Sequence, residues 1–188
     1  MKDTQKTLHS AIVSAGTCLA LLSLAADSKP PPSSPAPARS QFEDRGGGVK
    51  FQFPSDWHSV KDPDYVLMLL PGDGKQKDRH IAFDIPDLPP HLPGMIKLGL
   101  IQNGYVGDLK KQHKDLKIDS AADVKVPGAS ARLLRTSWHQ NGQAWIDVAL
   151  LMIHKDRVYI LNLDADDGHL PATRAAFDSI QSSLQWTK

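Results

Sequence analysis

The segment Ala144–His154, AWIDVALLMIH, constrains the fold more than any other part of the chain. It is β-rich and nearly all apolar, and it holds one acid, Asp147. The dipeptide Asn141-Gly142 precedes it, and the polar turn Lys155-Asp156 follows it. Asn-Gly between two apolar runs is a strong hairpin signal, because a type I′ turn needs positive φ at both central residues. The sequence therefore predicts three consecutive antiparallel strands.

The same two turns predict which residues lie opposite each other. Counting outward from Asn141-Gly142 places Trp138 opposite Trp145 and Thr136 opposite Asp147. Counting from Lys155-Asp156 continues the register into the third strand. Side chains alternate between the two faces of a strand, and here both faces of the three strands are apolar. A sheet with two apolar faces must be covered on both, so helices or further strands have to come from the rest of the chain.

The amino-acid composition excludes several classes of partner and of catalytic chemistry. The 188 residues carry a net charge of +1 and show no basic stripe, so we expect no nucleic-acid partner and no binding to an anionic membrane surface. The only cysteine is Cys18 and the only glutamate is Glu43, and both precede the predicted domain. Any chemistry in that domain would have to use Asp, His, Ser, Lys or Tyr. We therefore expect a protein that binds rather than an enzyme.

Residues 1–25 have the pattern of an export signal. Lys2 and Lys6 give a positive start, the following run to Leu24 is apolar, and small residues allow cleavage after Ala25. The alternative is a lipoprotein signal with lipidation at Cys18, which the residue before the cysteine, a threonine, does not favour. We expect an exported protein, periplasmic or tethered on the outer side of the cytoplasmic membrane. Membrane contact would involve only this segment, if it is uncleaved or lipidated.

Residues 26–48 are predicted to be a linker and residues 49–188 an α+β domain. Proline alternates with serine and alanine in the linker, which ends in three glycines. Such a composition buries little apolar surface and favours an extended spacer. Within the domain, alternation and helical periodicity predict the following elements: strands at 49–53, 58–61, 65–70 and 80–85, a helix at 95–113, a strand pair or an edge strand at 116–126, and a final helix at 171–184.

The order of these elements has a recognisable beginning and end. The segment Val49–Trp57 is a strand that ends in Pro and Trp, and Tyr159–Leu163 is followed by the helix pattern of Ala176–Leu184. Together with Pro127-Gly128 and the Asn-Gly hairpin, this resembles the PsbP-like family, which includes PsbP, DcrB-type lipoproteins and the Ran-binding Mog proteins. The resemblance implies an antiparallel β-sheet covered by helices on both faces, an αβα sandwich. It also implies a binding or assembly module without family catalytic residues.

One cluster has the donor atoms of a metal site. Asp164, Asp166, Asp167 and His169 place three carboxylates and an imidazole within six residues, which could hold Ca²⁺ or Mn²⁺. The spacing is not that of an EF-hand, because the glycine comes one place early and no glutamate closes the loop. The alternative is an acidic loop in which an aspartate caps the final helix.

A second candidate is a binding patch formed by Trp138, Trp145 and Asp147. The two tryptophans flank the Asn-Gly turn, and they either form an exposed aromatic surface for a partner or stabilise the hairpin by cross-strand packing. Asp147 interrupts an apolar strand, and a buried unpaired carboxylate is costly. It therefore has a structural partner such as Thr136 or Arg135, or it lies near the open end of a pocket.

These observations predict an exported, non-enzymatic binding or accessory module that acts through protein or small-ligand contacts. Its partner would be a protein or an envelope component that the sequence does not identify. Two alternatives remain open: a hydrolase that uses Asp and His, and a divalent-metal module that uses the Asp164–His169 loop. The hydrolase would require Asp147 in a pocket with a histidine and a serine within hydrogen-bonding reach.

Overall fold

The computed structural model describes residues 38–75, 78–87 and 97–187. The predicted export signal, Cys18 and the first part of the predicted linker lie outside the described residues. Neither of the two helices in the described ranges is long and apolar enough to cross a membrane.

The described residues form two antiparallel sheets and two helices. A seven-stranded sheet has the order β3-β4-β5-β9-β8-β7-β6, and a three-stranded sheet has the order β1-β2-β10. The element bounds, in chain order, are β1 (Arg39–Asp44), β2 (Val49–Pro54), β3 (Trp57–Val60), β4 (Leu67–Pro71), β5 (Arg79–Asp84), α1 (Leu98–Gln112), β6 (Lys117–Val126), β7 (Ala129–Gln140), β8 (Gln143–His154), β9 (Arg157–Asp166), α2 (Leu170–Ser183) and β10 (Gln185–Trp186).

The predicted three-stranded meander is confirmed as β7-β8-β9, with the predicted register. Asn141 and Gly142 have φ of 53° and 78°, and Lys155 and Asp156 also have positive φ. Trp138 lies directly opposite Trp145. Both turns are therefore two-residue hairpin loops with the primed geometry that suits the twist of the strands.

One face of the meander packs against α2 and the three-stranded sheet. Val148, Leu150, Leu161 and Leu163 on this face are completely buried. Phe177 of α2 is in the same cluster and is also completely buried. Alternating burial along β2 places the side chains of Val49, Phe51 and Phe53 in this core as well. The larger hydrophobic core therefore lies between the two sheets and α2.

The opposite face of the meander packs against α1. Val106 is the buried residue of this helix, and it clusters with Leu134 of β7 and with Ala149 and Leu151 of β8. The helix thus covers β7 and β8, while parts of β9 and β5 face a cavity described below. The antiparallel α+β prediction is confirmed, and full cover of both faces by helices stays a prediction.

Two parts of the fold differ from the sequence prediction. The strand β1 lies inside the predicted linker, and it pairs with β2 over its whole length, from Arg39↔Pro54 to Asp44↔Val49. Glu43 is therefore part of the folded region rather than ahead of it, although it lies 3.4 Å from the exposed Arg45 and reaches no cavity. The short strand β10 was not predicted, because its two residues carry no periodic pattern.

Replacing Trp145 by Ala is expected to destabilise the fold by about 1 kcal/mol, because the β7-β8 hairpin loses an aromatic cross-strand pair. The indole rings of Trp138 and Trp145 are stacked with centroids 6.4 Å apart and planes 12° apart. Urea unfolding measures the loss. A Gln143→Ala variant is the matched control, since Gln143 is an exposed residue beside the same turn. Equal stability of both variants would contradict a stabilising role for the pair.

Candidate functional site

A row of four polar side chains crosses the central sheet on the face that carries α1. Thr136 of β7 lies opposite Asp147 of β8. Asp147 lies opposite Asp164 of β9, which in turn lies opposite His80 of β5. Directly opposite residues of antiparallel strands share a face, so the four side chains form one line across four neighbouring strands.

Asp147 is completely buried in this row and has three polar neighbours. The Tyr105 hydroxyl of α1 donates to Asp147 Oδ2 at 2.7 Å, and the Thr136 hydroxyl donates to Oδ1 at 3.2 Å. Burial and the charge of Asp164 raise the pKa of Asp147 well above its ordinary value, and the two hydroxyl donors only partly oppose this. Asp147 therefore holds a proton more strongly than an exposed carboxyl does.

Asp164 also contacts His80, since His80 Nε2 lies 3.1 Å from Asp164 Oδ2. The angles of this contact are poor for a hydrogen bond, so the interaction is an ion pair rather than a well-aligned bond. Burial by itself lowers the pKa of His80, but the nearby Asp164 carboxylate outweighs this effect, and the net pKa is raised. Burial, followed by the charge of Asp164, raises the pKa of Tyr65 to about 12. Tyr65 therefore stays neutral in this acidic surrounding.

A cavity of about 620 Å³ lies between α1 and the edge of this row. This volume is within the range of roughly 300–1,000 Å³ that is common for small-molecule sites. Strand β9 supplies one wall through Val158, Ile160, Asn162 and Asp164, and β5 with the following residues contributes Asp84 and Pro86. Helix α1 supplies the facing wall, which includes Leu100, Ile101, Gly104, Tyr105 and Leu109. The lining is thus mainly apolar, with polar groups at a few positions.

The sequence-predicted binding patch is divided by the structure. Trp138 is only 4% exposed, lines the cavity and stacks on His113 with ring centroids 4.1 Å apart. Trp145 is half-buried next to it, and Asp147 lies beneath the surface. The three residues share one face, as the register predicts, but they do not form an exposed surface. Trp138 belongs to the cavity wall, and its buried Nε1 has no hydrogen-bond partner among the described residues.

The sequence-predicted metal cluster is also divided. Asp166 and His169 lie together, with His169 Nδ1 2.9 Å from Asp166 Oδ1, and Asp78 completes a group whose ligand atoms lie within 4.8 Å of one another. Asp164 instead contacts His80. Asp167 is exposed and is not part of the group. The Asp166 carboxylate also accepts a hydrogen bond from the His169 backbone N–H at 2.9 Å, just before α2 begins.

Three residues of the polar site were not singled out by the sequence analysis. Asp147 was identified as unusual and Thr136 as its neighbour, but the contacts of Tyr105, His80 and Tyr65 depend on long-range packing. The two-residue turn Lys155-Asp156 determines the β8-β9 register, and that register places Asp164 opposite Asp147. The carboxyl pair could therefore be predicted from the sequence. No local pattern identifies the helix residue that reaches the pair.

No protein-family model and no curated protein matches the sequence. Solved structures do match. Cyanobacterial PsbP (CyanoP) from Synechocystis sp. PCC 6803 has a TM-score of 0.62 at 14% identity, over 80% of this chain and 94% of that one. The Ran-binding protein Mog1p of Saccharomyces cerevisiae has a TM-score of 0.57 at 9% identity, over 81% of this chain and 97% of that one.

A third match is LpqN, which is involved in cell envelope biogenesis of Mycobacterium tuberculosis. Its TM-score is 0.53 at 15% identity, over 83% of this chain and 87% of that one. At sequence identities this low, structural similarity establishes a shared fold but says nothing about a shared activity. The chain therefore has the PsbP-like fold, as its two antiparallel sheets, its two helices and these three matches together indicate.

Proposed function

We propose that this protein is an exported, non-enzymatic binding or accessory module, and that the cavity beside α1 is its ligand site. The observation that carries the proposal is the cavity of about 620 Å³ with a mainly apolar lining and a few convergent polar groups. Two matched structures, by their descriptions, are a Ran-binding protein and an envelope-biogenesis protein, which supports a binding or accessory role. We also infer an αβα arrangement in which helices cover both faces of the large sheet.

The arrangement of Asp147 supports binding over hydrolysis. Its oxygens accept hydrogen bonds from Tyr105 and Thr136, and its other polar neighbour is Asp164. His80 is reached only through Asp164, and no serine contacts Asp147 among the described residues. The serine and the directly contacting histidine that the hydrolase alternative requires are therefore missing from the described part of the site, and the Thr136 hydroxyl beside Asp147 is completely buried. Turnover in an esterase, phosphatase and glycosidase screen that is lost in Asp147→Asn would favour the hydrolase instead.

The cavity proposal is tested with two glycine variants of α1. Gly104 lines the cavity, whereas Gly107 does not. A Cβ added at either position meets no atom within 4 Å, so the first side-chain carbon fits at both. The probe is N-phenyl-1-naphthylamine, a neutral apolar fluorophore. We expect Gly104→Phe to weaken its binding at least about tenfold, because the ring occupies the cavity, a loss of about 1.4 kcal/mol.

Gly107→Phe is the matched control and should bind the probe as the unmodified protein does. Both variants exchange glycine for the same side chain in the same helix, so any change in helix stability is shared. Melting temperatures of the two variants check that both fold. Equal affinity in all three proteins would show that the probe binds outside the cavity, and no binding by the unmodified protein would contradict the proposal itself.

A divalent-metal role has one specific observation in its favour, the proximity of Asp78, Asp166 and His169. The donor set would be two carboxylates and one imidazole, which suits Mn²⁺ better than Ca²⁺ because calcium prefers six or more oxygen ligands. The same contacts also have a metal-free explanation as an ion pair between His169 and Asp166. If metal binds here, millimolar Mn²⁺ raises the melting temperature by linkage, and Asp166→Asn removes the rise. An unchanged melting temperature would dismiss this role.

Export is proposed from the sequence of residues 1–25. Mass spectrometry of the protein recovered from cells should find a chain that begins at Ala26, because small residues precede that position. A diacylglyceryl group on Cys18 would show a lipoprotein instead and would place the domain on a membrane tether.

A further inference from the structure

The cavity beside α1 has an uneven charge. Three of its lining residues are acids, Asp84, Asp108 and Asp164, and none of its described lining residues is a lysine or an arginine. A cavity with carboxylates and partly low-dielectric walls concentrates a negative potential inside it.

The acids differ in how their charges are compensated. Asp164 is paired with His80, and Asp108 is exposed and paired with Lys111 at 2.7 Å. Asp84 has no ion-pair partner among the described residues, and its one hydrogen bond comes from the neighbouring backbone N–H of Ile85 at 2.8 Å. Burial, with a smaller effect of Asp87, raises the pKa of Asp84, which is the sign of a carboxylate that would gain from a nearby positive charge.

The cavity that Asp84 lines has apolar and aromatic walls. On the sheet it lies directly opposite Ile160, and Asn162 is two residues further along the same face of β9. Tyr65 and Tyr105 contribute aromatic rings to the lining. An organic cation can pair with a carboxylate through its charged group, while its apolar part contacts aliphatic and aromatic side chains of the cavity.

We propose that the cavity binds an organic cation, whose amine or quaternary ammonium group contacts Asp84 and whose apolar part lies between β9 and α1. This inference rests on the proposed function, since it names the ligand class of the same site. An anionic ligand is disfavoured because it would face three carboxylates without a lysine or arginine among the described lining residues. A bare metal ion is disfavoured because, among the described residues, Asp84 belongs to no group of three metal-ligating side chains.

The test compares three probes that share an eight-carbon chain and differ in the charge of the head group. They are the cation octyltrimethylammonium, the neutral octyl glucoside and the anion octyl sulfate. Isothermal titration calorimetry at low ionic strength and below micelle formation gives each affinity. We expect the cation to bind at least about tenfold more tightly than the neutral probe, and the anion to bind most weakly. Added salt should weaken the binding of the cation and leave that of octyl glucoside unchanged.

Asp84→Asn should reduce the affinity for the cation about tenfold while leaving octyl glucoside unaffected. Asn keeps the oxygen that accepts the Ile85 hydrogen bond. Asp178→Asn is the matched control, because this exposed acid lies on α2 and pairs with Arg174 at 2.8 Å. Equal affinities for all three probes, with binding still lost in Gly104→Phe, would overturn the cation inference and leave the ligand site standing. No binding of any probe would overturn both.

Discussion

Replacing Phe177 by Ala is expected to lower the free energy of unfolding by about 3–5 kcal/mol, which would leave a domain of this size barely stable. Phe177 is completely buried at the centre of the core that joins α2 to both sheets. Truncation removes apolar contacts and leaves a cavity that rigid strands on two sides cannot close. Urea unfolding followed by far-ultraviolet circular dichroism measures the loss.

Phe42→Ala is the matched control for this prediction. Phe42 packs against the same core with its ring 5.0 Å from that of Phe51, but it is only half-buried on the edge strand β1. Its truncation should cost clearly less than that of Phe177, because water and neighbouring side chains can partly fill the space. A smaller loss for Phe177→Ala than for Phe42→Ala would show that α2 does not anchor the core.

Stability is expected to fall as the pH rises above about 3.9, the ordinary pKa of Asp, and to fall further above about 6.5, the ordinary pKa of His. In the folded protein Asp147 has a raised pKa, because it is buried and faces the charge of Asp164, and His80 has a raised pKa through the same Asp164. A group with a raised folded-state pKa stabilises below its unfolded pKa, and this contribution is lost as the pH rises through the folded pKa. Each proton involved changes stability by about 1.4 kcal/mol per pH unit within its window.

Opposing contributions should be small. The pKa of Asp115 is lowered by hydrogen bonds from His139, and that of Asp123 by Arg132. Such groups lose their stabilisation only as the pH falls below about 3.9, so they do not offset the fall at higher pH, and the same holds for Asp166, whose pKa is also lowered. The decline should therefore follow Asp147 and His80, with a smaller part from Asp84, whose pKa is also raised by burial.

Asp147→Asn isolates the carboxyl in the pH experiment. An amide resembles a protonated carboxyl in shape and does not titrate, so the variant should fold and show a flatter stability profile. Asp123→Asn, at an exposed acid, should keep the slope of the unmodified protein. Denaturant midpoints at several pH values measure both slopes. Identical slopes for Asp147→Asn and the unmodified protein would mean that Asp147 is not the group that holds the proton.

The hairpins were predictable because their signals are local. Asn141-Gly142 and Lys155-Asp156 adopt positive φ, and two-residue loops then determine every pair along β7, β8 and β9. The strand β1 was missed for a physical reason: only Phe42 of its six residues packs into the core, so the segment shows little apolar alternation. It is held in place by pairing with β2, which a local pattern does not reveal.

The candidate site was predictable only in part. Asp147 stands out as one acid in an apolar strand, and the register supplies Thr136. The metal prediction included Asp164 because it is near Asp166 in sequence. In the structure, the long-range pairing of β5 with β9 places Asp164 in contact with His80 and brings Asp78 close to Asp166. That pairing joins strands far apart in the chain, and the approach of α1 to the sheet is equally non-local.

The most direct test of the central proposal is a two-dimensional NMR titration of the ¹⁵N-labelled protein with N-phenyl-1-naphthylamine. The cavity predicts saturable shifts in the Trp138 indole N–H and in the backbone amides of Gly104 and Ile160, all three of which line it. The amide of Gly107, outside the lining, and that of Asp178, on the far helix, should hardly move. Shifts confined to residues outside the cavity, or no shifts at millimolar probe, would contradict a ligand site between α1 and β9.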